Sequence, residues 1–335
     1  MTRWWKCFLL AALLVTGLPF RSPAPFVYRP GEGWTYESAG SEGNWIRERA
    51  KDQLDVAQAA FDKKDYSLTQ LAARRVLTVW PQSDYAPQAE YLLARCNEAT
   101  GHYERAFNDY QTLLEKYPKA GNYQEILERQ FEICNRFLHG ERFRLWGYIP
   151  TFPSMDKTVG LYDKVIKNGP YSDVAPQAQL NIGAAREKEL RLLNDNEPFV
   201  QAAAAYALAA DRYFDRPKIA AEALYRQGLA TEKQAKTAEY DQSTAGQAID
   251  LFTDFMTLYP DDPRVKDAQK IIDRLKLEQA RGNYETARYY DGKGQWQGAK
   301  IYYNEVVSRS PDSPYKDPSL QRIAALNKLM GQPAK

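Results

Sequence analysis

The sequence predicts an all-α solenoid, in which pairs of helices stack one after another along the chain. Three observations predict it. A pattern of four positions, at offsets of 0, 3, 7 and 15 residues from its first member, recurs six times. A proline occupies the last offset of every copy, and a second helical run precedes each copy. Because a fixed internal period constrains a fold more strongly than local propensity does, the repeats decide the fold class.

The first three offsets lie on one face of a helix, where they place an aromatic or apolar residue, a small residue and a second anchor residue. The copies that start at Tyr66 and Tyr103 are in tandem, 37 residues apart. The six copies are Tyr66/Thr69/Ala73/Pro81, Tyr103/Ala106/Tyr110/Pro118, Met155/Thr158/Tyr162/Pro170, Ala202/Ala205/Ala209/Pro217, Ala245/Ala248/Phe252/Pro260 and Trp296/Ala299/Tyr303/Pro311.

Proline lacks an N–H and disfavours helix in the residue before it, so each copy is the second helix of a pair and ends near its proline. The runs "APQAEYLLARCNEATGHY" and "APQAQLNIGAAREKEL" are examples of first helices. Pairs that bury their apolar faces only by stacking on neighbours are the tetratricopeptide pattern, whereas a single copy would be an ordinary amphipathic helix. We therefore predict about six helix pairs over residues 45–330.

A helix over about 317–329 is predicted to cap the apolar end of the stack. Its predicted buried side consists of Leu320, Ile323, Leu326 and Leu329.

Composition and motifs favour a binding protein over an enzyme. The formal net charge of +2 gives no reason to expect nucleic-acid binding, which needs a basic surface. The two histidines, His102 and His139, lie in separate repeats, and no nucleophile–histidine arrangement, phosphate loop or paired-carboxylate motif stands out. The glycine-rich "DGKGQWQG" separates two helices, so we interpret it as a turn. We expect no enzyme activity, no cofactor and no metal site.

The N-terminus differs in composition from the rest. Arg3 and Lys6 precede an apolar run of eleven residues, 8–18, which is too short to span a membrane and typical of a signal-peptide core. Residues 1–24 are therefore predicted to be a signal peptide, or an uncleaved anchor. Residues 25–44 carry Pro, Gly and Ser without helical period and are predicted to be an extended tether.

Cysteine usage leaves two alternatives open. Cys7 lies within the predicted signal, and Cys96 and Cys134 fall at similar places in consecutive first helices. They are two buried thiols, or a disulfide between adjacent helices in an oxidising compartment.

Several stretches resemble the BamD-type outer-membrane assembly proteins, the YfiO family. "GNYETARYYDGKGQWQGAKIYYNEVVSRSPDSPYKD" is similar to the family's last repeat, and "DDPRVKDAQKIIDRLKLEQARGNYETARYY" to its long linker helix. "HYERAFNDYQTLLEKYP" is similar to its second repeat, and "HGERFRLWGYIPTFPSMDKTVGLYDKVIKNGPYSDVAPQA" to its third, which contains an aromatic loop. The resemblance extends over roughly residues 45–330.

The resemblance implies a periplasmic scaffold, peripheral at the outer membrane. Its expected partners are a BamA-like barrel-assembly protein, held by the C-terminal repeats, and unfolded outer-membrane protein precursors, held by the N-terminal repeats. Two features depart from the family. Cys7 precedes the apolar run and no cysteine comes directly after it, where the family carries its acylated cysteine. The chain also has an additional repeat at about 173–259.

Three groups of residues are candidate binding sites. The aromatic loop over 141–154 is predicted to expose a partner-binding patch, or to fold its rings back over the repeats. The first helices of the early repeats should line a groove for an extended peptide, and the first helix of the last repeat should hold the larger partner. The loop candidates are Trp146, Tyr148 and Phe152; the peptide candidates are Lys51, Gln58, Tyr91, Arg95 and Glu98; the last-repeat candidates are Tyr284, Arg288 and Asp291.

Trp296, Ala299 and Tyr303 are instead expected to pack inside the last repeat. A periplasmic adaptor that coordinates cell-envelope or peptidoglycan proteins remains the alternative function, because such adaptors also use these repeats.

Overall fold

Helix pairs account for nearly all of the described backbone. The computed structural model describes residues 26–29, 33–36, 45–118, 122–145, 149–150, 153–189, 197–237 and 242–331. The chain divides into two compact units, Met1–Ala120 and Gly121–Lys335.

The first unit contains a small hairpin and two helix pairs. Strands β1 (Phe26–Arg29) and β2 (Gly33–Tyr36) pair antiparallel within the segment predicted to be an extended tether. Helices α1 and α2 form one pair, α3 and α4 the next, and the two first helices, α1 and α3, also contact each other. The helices are α1 (Ala50–Asp62), α2 (Tyr66–Val79), α3 (Ala86–Ala99) and α4 (Tyr103–Lys116).

The second unit contains four helix pairs, a final helix and a second hairpin, β3 (Arg144–Leu145) with β4 (Ile149–Pro150). Each helix packs against the next one in sequence, as stacked repeats require. The helices are α5 (Tyr123–Leu138), α6 (Met155–Asn168), α7 (Ala175–Glu187), α8 (Glu197–Arg212), α9 (Pro217–Thr237), α10 (Gln242–Leu258), α11 (Val265–Gly292), α12 (Trp296–Arg309) and α13 (Lys316–Leu329).

The predicted fold class is confirmed. The described residues form thirteen helices, which make six pairs and a C-terminal capping helix, and the tetratricopeptide pattern holds in both units. Residues 173–259, predicted to hold one additional repeat, contain the four helices α7 to α10, which form two pairs. Helix α11 runs 28 residues without a break, over the stretch that resembles the family's long linker helix.

The recurring spacing marks the buried face of the second helices. The offset-3 residues Thr69, Ala106, Thr158, Ala248 and Ala299 are buried, as are all six offset-7 residues. The helices α2, α4, α6, α10 and α12 each end two residues before their proline. The spacing therefore identified the side of the helix that packs, and where the helix stops.

The fourth copy is displaced by three residues from the register predicted. The large buried rings of α8 are Phe199 and Tyr206, which take offsets 0 and 7, so Ala202 occupies offset 3 and not offset 0. Pro217 accordingly begins α9 and does not terminate α8. The alanine-rich run satisfies the spacing in more than one register, and the large rings decide which register packs.

Trp296 is less buried than predicted, because 39% of its surface is exposed. It is the first residue of α12, so no preceding turn of its own helix covers the ring. Ala299 and Tyr303 are buried as expected.

The capping helix α13 is present, but two of its predicted buried residues are wrong. Leu326 is fully buried and Ile323 packs against the adjoining core, whereas Leu320 and Leu329 are exposed. Residues three apart on a helix rotate by 60° at each step, so four of them spread over half of the circumference. The buried face instead includes Ser319 and Asn327.

Both described cysteines are buried free thiols, so the disulfide alternative does not hold. The Sγ of Cys96 donates to the carbonyl oxygen of Tyr66 at 3.3 Å. None of the helices in the described part of the chain is long and apolar enough to cross a membrane.

Candidate functional site

Four side chains of α3 and α4 form one polar-aromatic group, here called the N-terminal cluster: Tyr91, Arg95, Glu98 and Tyr110. The hydroxyl of Tyr110 donates to Oε2 of Glu98 at 2.8 Å, and the rings of Tyr91 and Tyr110 lie 6.1 Å apart. Nη1 of Arg95 donates to the Tyr91 hydroxyl at 3.1 Å. Three of the predicted peptide-binding residues are therefore brought together.

The other two predicted peptide-binding residues lie on α1. Gln58 is half-buried and donates to Oδ1 of Asp62 at 2.9 Å, within its own helix. Lys51 is exposed in the first turn. Phe61 provides the connection from α1 to the N-terminal cluster, because the Arg95 guanidinium lies 5.7 Å from the centre of its ring. This stacking orients the arginine at the edge of the cluster.

Two carboxylates, the buried Glu90 and the half-buried Asp109, lie next to the N-terminal cluster. Glu90 precedes Tyr91 on α3, and Asp109 precedes Tyr110 on α4. Burial, with a smaller effect of the Asp109 carboxylate, raises the pKa of Glu90 to about 7, while Lys116 opposes the shift. Burial also raises the pKa of Asp109, although Nδ2 of Asn97 donates to its carboxylate at 2.6 Å. This end of the cluster therefore holds protons more tightly than ordinary carboxylates do.

The equivalent group on α11 and α12, here called the C-terminal cluster, consists of Tyr284, Arg288, Asp291 and Tyr303. The rings of Tyr284 and Tyr303 lie 5.7 Å apart, and the Tyr303 hydroxyl donates to Oδ2 of Asp291 at 3.5 Å. All four line an open recess of about 600 Å³ between α11, α12 and α13. The structure thus brings the three predicted last-repeat residues to one surface.

The capping helix closes one side of this recess by an ion pair. Nε and Nη2 of Arg322 donate to the two carboxylate oxygens of Asp291 at 2.5 and 2.8 Å. This bidentate contact holds the pKa of Asp291 below its ordinary value. Arg288 is exposed on the same wall and forms no ion pair with any described residue. Arg288, and not Asp291, is therefore the charge available to a ligand.

The two clusters have the same spacing, which the sequence interpretation missed. Counted from the first tyrosine, the arginine, the acid and the second tyrosine follow at +4, +7 and +19 in both. The recurring spacing places Tyr110 and Tyr303 in the core but does not show that their hydroxyls contact the acids. Comparing first helices as well as second helices between the copies would have found the motif.

The tyrosine–acid contact also occurs without the arginine. In the pair α7–α8 the hydroxyl of Tyr206 donates to Oε1 of Glu187 at 2.8 Å, but Ala184 occupies the position of the arginine. Arg226 of α9 lies beside the Tyr206 hydroxyl, and Lys233 of α9 pairs with Glu187. We infer that the tyrosine–acid contact stabilises a helix pair, and that an arginine on the same helix as the acid distinguishes the two clusters.

The aromatic loop over 141–154 is described only in part. Phe143 is buried, and its ring stacks on Phe137 with centres 4.1 Å apart, so this ring folds back as one alternative predicted. Trp146, Tyr148 and Phe152 lie outside the described residues, and their role as a partner-binding patch stays a prediction.

The clusters supply recognition chemistry of one kind: a guanidinium beside tyrosine, with a carboxylate held in place nearby. Such groups bind backbone carbonyls, carboxylates and aromatic rings. In the described ranges no group of three or more His, Cys, Asp or Glu could hold a metal ion. His102 and His139 make local contacts, to Thr100 Oγ1 and to the carbonyl oxygen of Asn135.

Family models match both regions that carry the clusters. Residues 169–335, which include the C-terminal cluster, match the YfiO model, described as an outer membrane lipoprotein. Residues 169–335 form a YfiO-family domain. Residues 88–120, which include the N-terminal cluster, match a tetratricopeptide repeat model. The YfiO match begins after the aromatic loop, so the likeness of residues 45–168 to the family's early repeats stays a prediction.

Solved structures similar to the chain are tetratricopeptide-repeat proteins. The C-terminal part of such a protein from Cytophaga hutchinsonii is 13% identical with a TM-score of 0.36, covering 81% of this chain and 88% of its own. One from Parabacteroides merdae is 12% identical with a TM-score of 0.30, covering 83% and 98%. The TPR2AB domain of yeast Sti1 is 13% identical with a TM-score of 0.30, covering 84% of each chain. The comparison with curated proteins found no match.

Proposed function

We propose that this protein is a non-enzymatic periplasmic scaffold for assembly of outer-membrane β-barrel proteins. The observation that carries the proposal is the position of the C-terminal cluster inside the YfiO-family domain, with Arg288 exposed at an open recess. The predicted signal at residues 1–24 supports export, and the protein would act in the periplasm, peripheral to the outer membrane.

The C-terminal cluster is the proposed dock for the barrel-assembly protein. An exposed arginine beside tyrosines is the combination that most often anchors protein interfaces. Tyr284 has its ring fixed between Tyr303 and Tyr315, with ring centres 5.7 and 5.2 Å away. Because the tyrosine is held before the partner arrives, little side-chain entropy remains to be lost on binding.

The N-terminal cluster is the proposed site for an unfolded precursor segment. Arg95 can pair a carboxylate, and the half-buried ring of Phe61 beside it can contact an apolar side chain. The ring of Tyr91 is buried, and its proposed role is to position Arg95 through its hydroxyl. Lys51 and Gln58, on the neighbouring first helix, are proposed to contact the peptide farther along. An unfolded segment offers both backbone carbonyls and side chains to such a surface.

A pulldown from solubilised cell envelopes tests the assignment. The full chain, carrying an affinity tag, is compared with Arg288→Glu and with Lys276→Glu, an exposed lysine on the same helix α11. We expect the barrel-assembly protein with the wild type and the lysine variant, and its loss with Arg288→Glu. Recovery of peptidoglycan synthases in place of the barrel-assembly protein would favour the adaptor function and reject the scaffold.

A further inference from the structure

The capping helix α13 corresponds residue for residue to α3, the first helix of the second pair. Both helices have 14 residues, and both follow a turn in which a serine N–H donates to the carbonyl oxygen three residues earlier. Helix α3 begins directly after Tyr85 and α13 directly after Tyr315, so Ala86 matches Lys316. This match identifies α13 as the first helix of a further repeat.

The side of α13 that packs on α12 matches the side of α3 that packs on α2. Leu326 is buried where α3 has Cys96, and Ser319 is buried where α3 has Ala89. Cys96 donates to a backbone carbonyl of α2, and Leu326 lies in the core cluster that contains Tyr303 of α12. The packing therefore confirms the register in which the two helices are compared.

The other side of a first helix receives an aromatic ring from the second helix of its pair. A Cβ added at Gly183 of α7 would collide with the ring of Tyr206 on α8. One added at Gly228 of α9 would likewise meet the ring of Phe252 on α10. Both rings belong to the face that packs in the second helices. In α13 the matching small residue is Ala324, which is the ninth residue of its helix, as Gly183 is of α7.

In α13 this side is not covered by a second helix. Within the described part of the chain α13 packs on α12, and no helix follows it. Leu320 is 43% exposed and Ala324 is half-buried. A terminal helix that only caps a solenoid would turn polar side chains to water there. The residues that match Leu320 in α3, α7 and α11 are all buried: Glu90, Gln179 and Asn283.

A buried amide on the same side of α13 has an unpaired oxygen. In α3 the side chain of Asn97 bridges two helices, because its Oδ1 accepts from Gln70 of α2 at 3.2 Å and its Nδ2 donates to Asp109 of α4. Asn327 occupies the same position in α13 and is only 6% exposed, yet its Oδ1 has no hydrogen-bond partner among the described residues. A donor that reached this oxygen would remove the cost of burying it unpaired.

We propose that Leu320, Ala324 and Asn327, here called the open face of α13, bind an amphipathic helix of another protein, which completes a seventh repeat. That helix has the spacing of the second helices, with a small residue at offset 3 and an aromatic ring at offset 7 that packs on Ala324. A polar side chain beside the ring donates to Asn327. The six described pairs support this choice of occupant, because each covers the matching side of its first helix with such a helix.

A second copy of the chain is the less suitable occupant. Each second helix of the described chain already packs on its own first helix, so a copy could offer one only by opening a pair. Helix α13 itself contains no aromatic residue, so two copies of the open face could not supply the ring to each other. The site lies outside both clusters and does not depend on the proposed function.

A peptide with the sequence of α4, residues 103–116, tests the open face, because α4 covers the matching side of α3. Fluorescence anisotropy measures binding of the labelled peptide to the full chain. Circular dichroism should show a gain of helix on binding, since an isolated peptide of this length is mostly unfolded. Comparison peptides carry Tyr110→Ala, which removes the ring, or Ala106→Glu, which places a charge at offset 3. We expect each to bind at least about tenfold more weakly.

Variants of the full chain locate the binding. Leu320→Asp and Ala324→Glu should each weaken the α4 peptide at least about tenfold. Leu329→Asp is the matched control, since Leu329 is exposed on α13 and the matching residue at the end of α3 is exposed as well. Arg95→Glu and Arg288→Glu should bind the peptide as the wild type does, which separates this test from that of the proposed function.

Three outcomes would overturn the proposal. One is equal binding of the α4 peptide and its Tyr110→Ala form. Another is a Leu320→Asp or Ala324→Glu variant that keeps its thermal melt and still binds the peptide as the wild type does. The third is a wild-type chain that binds no peptide; if Leu320→Asp then converts a dimer into a monomer, measured by light scattering, the open face belongs to a second copy.

Discussion

The N-terminal and C-terminal clusters place the same four residue types at the same spacing, yet their arginines differ in what they contact. Arg95 donates to Tyr91 and lies over Phe61, whereas Arg288 is exposed beside a recess. The acids differ as well, since Asp291 pairs with Arg322 of α13, whereas Glu98 accepts from the Tyr110 hydroxyl. The repeat therefore fixes where these side chains lie, and the adjoining helix decides which charge remains for a ligand.

The two clusters differ more in the residues that directly precede their tyrosines in sequence. Glu90 and Asp109 flank the N-terminal cluster, and the equivalent positions in the C-terminal cluster are Asn283 and Tyr302. One site thus lies beside a buried and a half-buried carboxylate, and the other beside neutral side chains. We expect the two sites to respond differently to pH.

The largest predicted effect is a pH-dependent loss of stability around the N-terminal cluster. The pKa of Glu90 is about 7 in the folded chain against an ordinary 4.5, so the folded state binds the proton more tightly. The resulting stabilisation is complete below pH 4.5 and is lost as the pH rises to 7, on the order of 3 kcal/mol. Hydrogen exchange of α3 and α4, followed across this range, measures it.

Glu90→Gln should remove most of this dependence, because glutamine does not titrate. The smaller effect that remains should have the same sign, since the pKa of Asp109 is also raised. Helices α11 and α12 serve as the internal reference and should show no such loss between pH 4.5 and 7. Equal pH responses at the two ends would contradict the contrast drawn here.

The second prediction concerns the helix pair that has the tyrosine–acid contact but not the arginine. A Cβ added at Gly183 would collide with the buried ring of Tyr206, which its hydroxyl bond to Glu187 holds in place. Gly183→Ala should therefore lower the free energy of unfolding by about 2 kcal/mol, despite the better helix propensity of alanine. Chemical denaturation measures the change.

Gly160→Ala is the control, because a Cβ there meets nothing within 4 Å. It should be neutral or stabilising by up to about 1 kcal/mol. Both variants should still bind the partners of the two clusters. Loss of binding in Gly183→Ala while the fold remains intact would show that the contact without arginine is also a recognition site.

The smallest predicted effect is a difference in stability between two variants, each of which removes the tyrosine–acid contact of one cluster. Tyr110→Phe removes a 2.8 Å bond to Glu98 and should cost about 1–2 kcal/mol. Tyr303→Phe removes a 3.5 Å contact from an acid that keeps Arg322, and should cost less than about 0.5 kcal/mol. Thermal melts of the two variants, run in parallel, compare the losses of stability. Equal losses would mean that the ion pair with Arg322 does not compensate for the tyrosine contact that Asp291 loses.

The sequence predicted those features that depend on helix geometry within one repeat. Offsets 3 and 7 lie on one helical face whatever surrounds them, so Tyr110, Tyr162 and Phe252 were placed correctly in the core. The prediction failed for the alanine-rich helix α8 because small residues fit in several registers, and the buried rings of Phe199 and Tyr206 select the observed one.

The position of each candidate site was predictable from the sequence, but which of its charged side chains is already paired was not. Counting along the repeats brought Tyr91, Arg95 and Glu98 to one surface, and did the same for the last repeat. The ion pair between Asp291 and Arg322 joins residues 31 apart in sequence, and no local pattern indicates it.

The central claim is that each arginine, in its own cluster, binds a different partner. Two titrations, run side by side on the wild type, Arg95→Glu and Arg288→Glu, test it most directly. One uses the periplasmic domains of the barrel-assembly protein, and the other a C-terminal peptide of a barrel precursor. Lys63→Glu and Lys276→Glu, both exposed lysines near the respective clusters, are the controls.

We predict that Arg288→Glu weakens the protein partner at least about tenfold and leaves the peptide unchanged, while Arg95→Glu does the reverse. All variants should keep the wild-type melting curve. The account is contradicted if both arginine variants bind both ligands as the wild type does, or if either variant loses both ligands together.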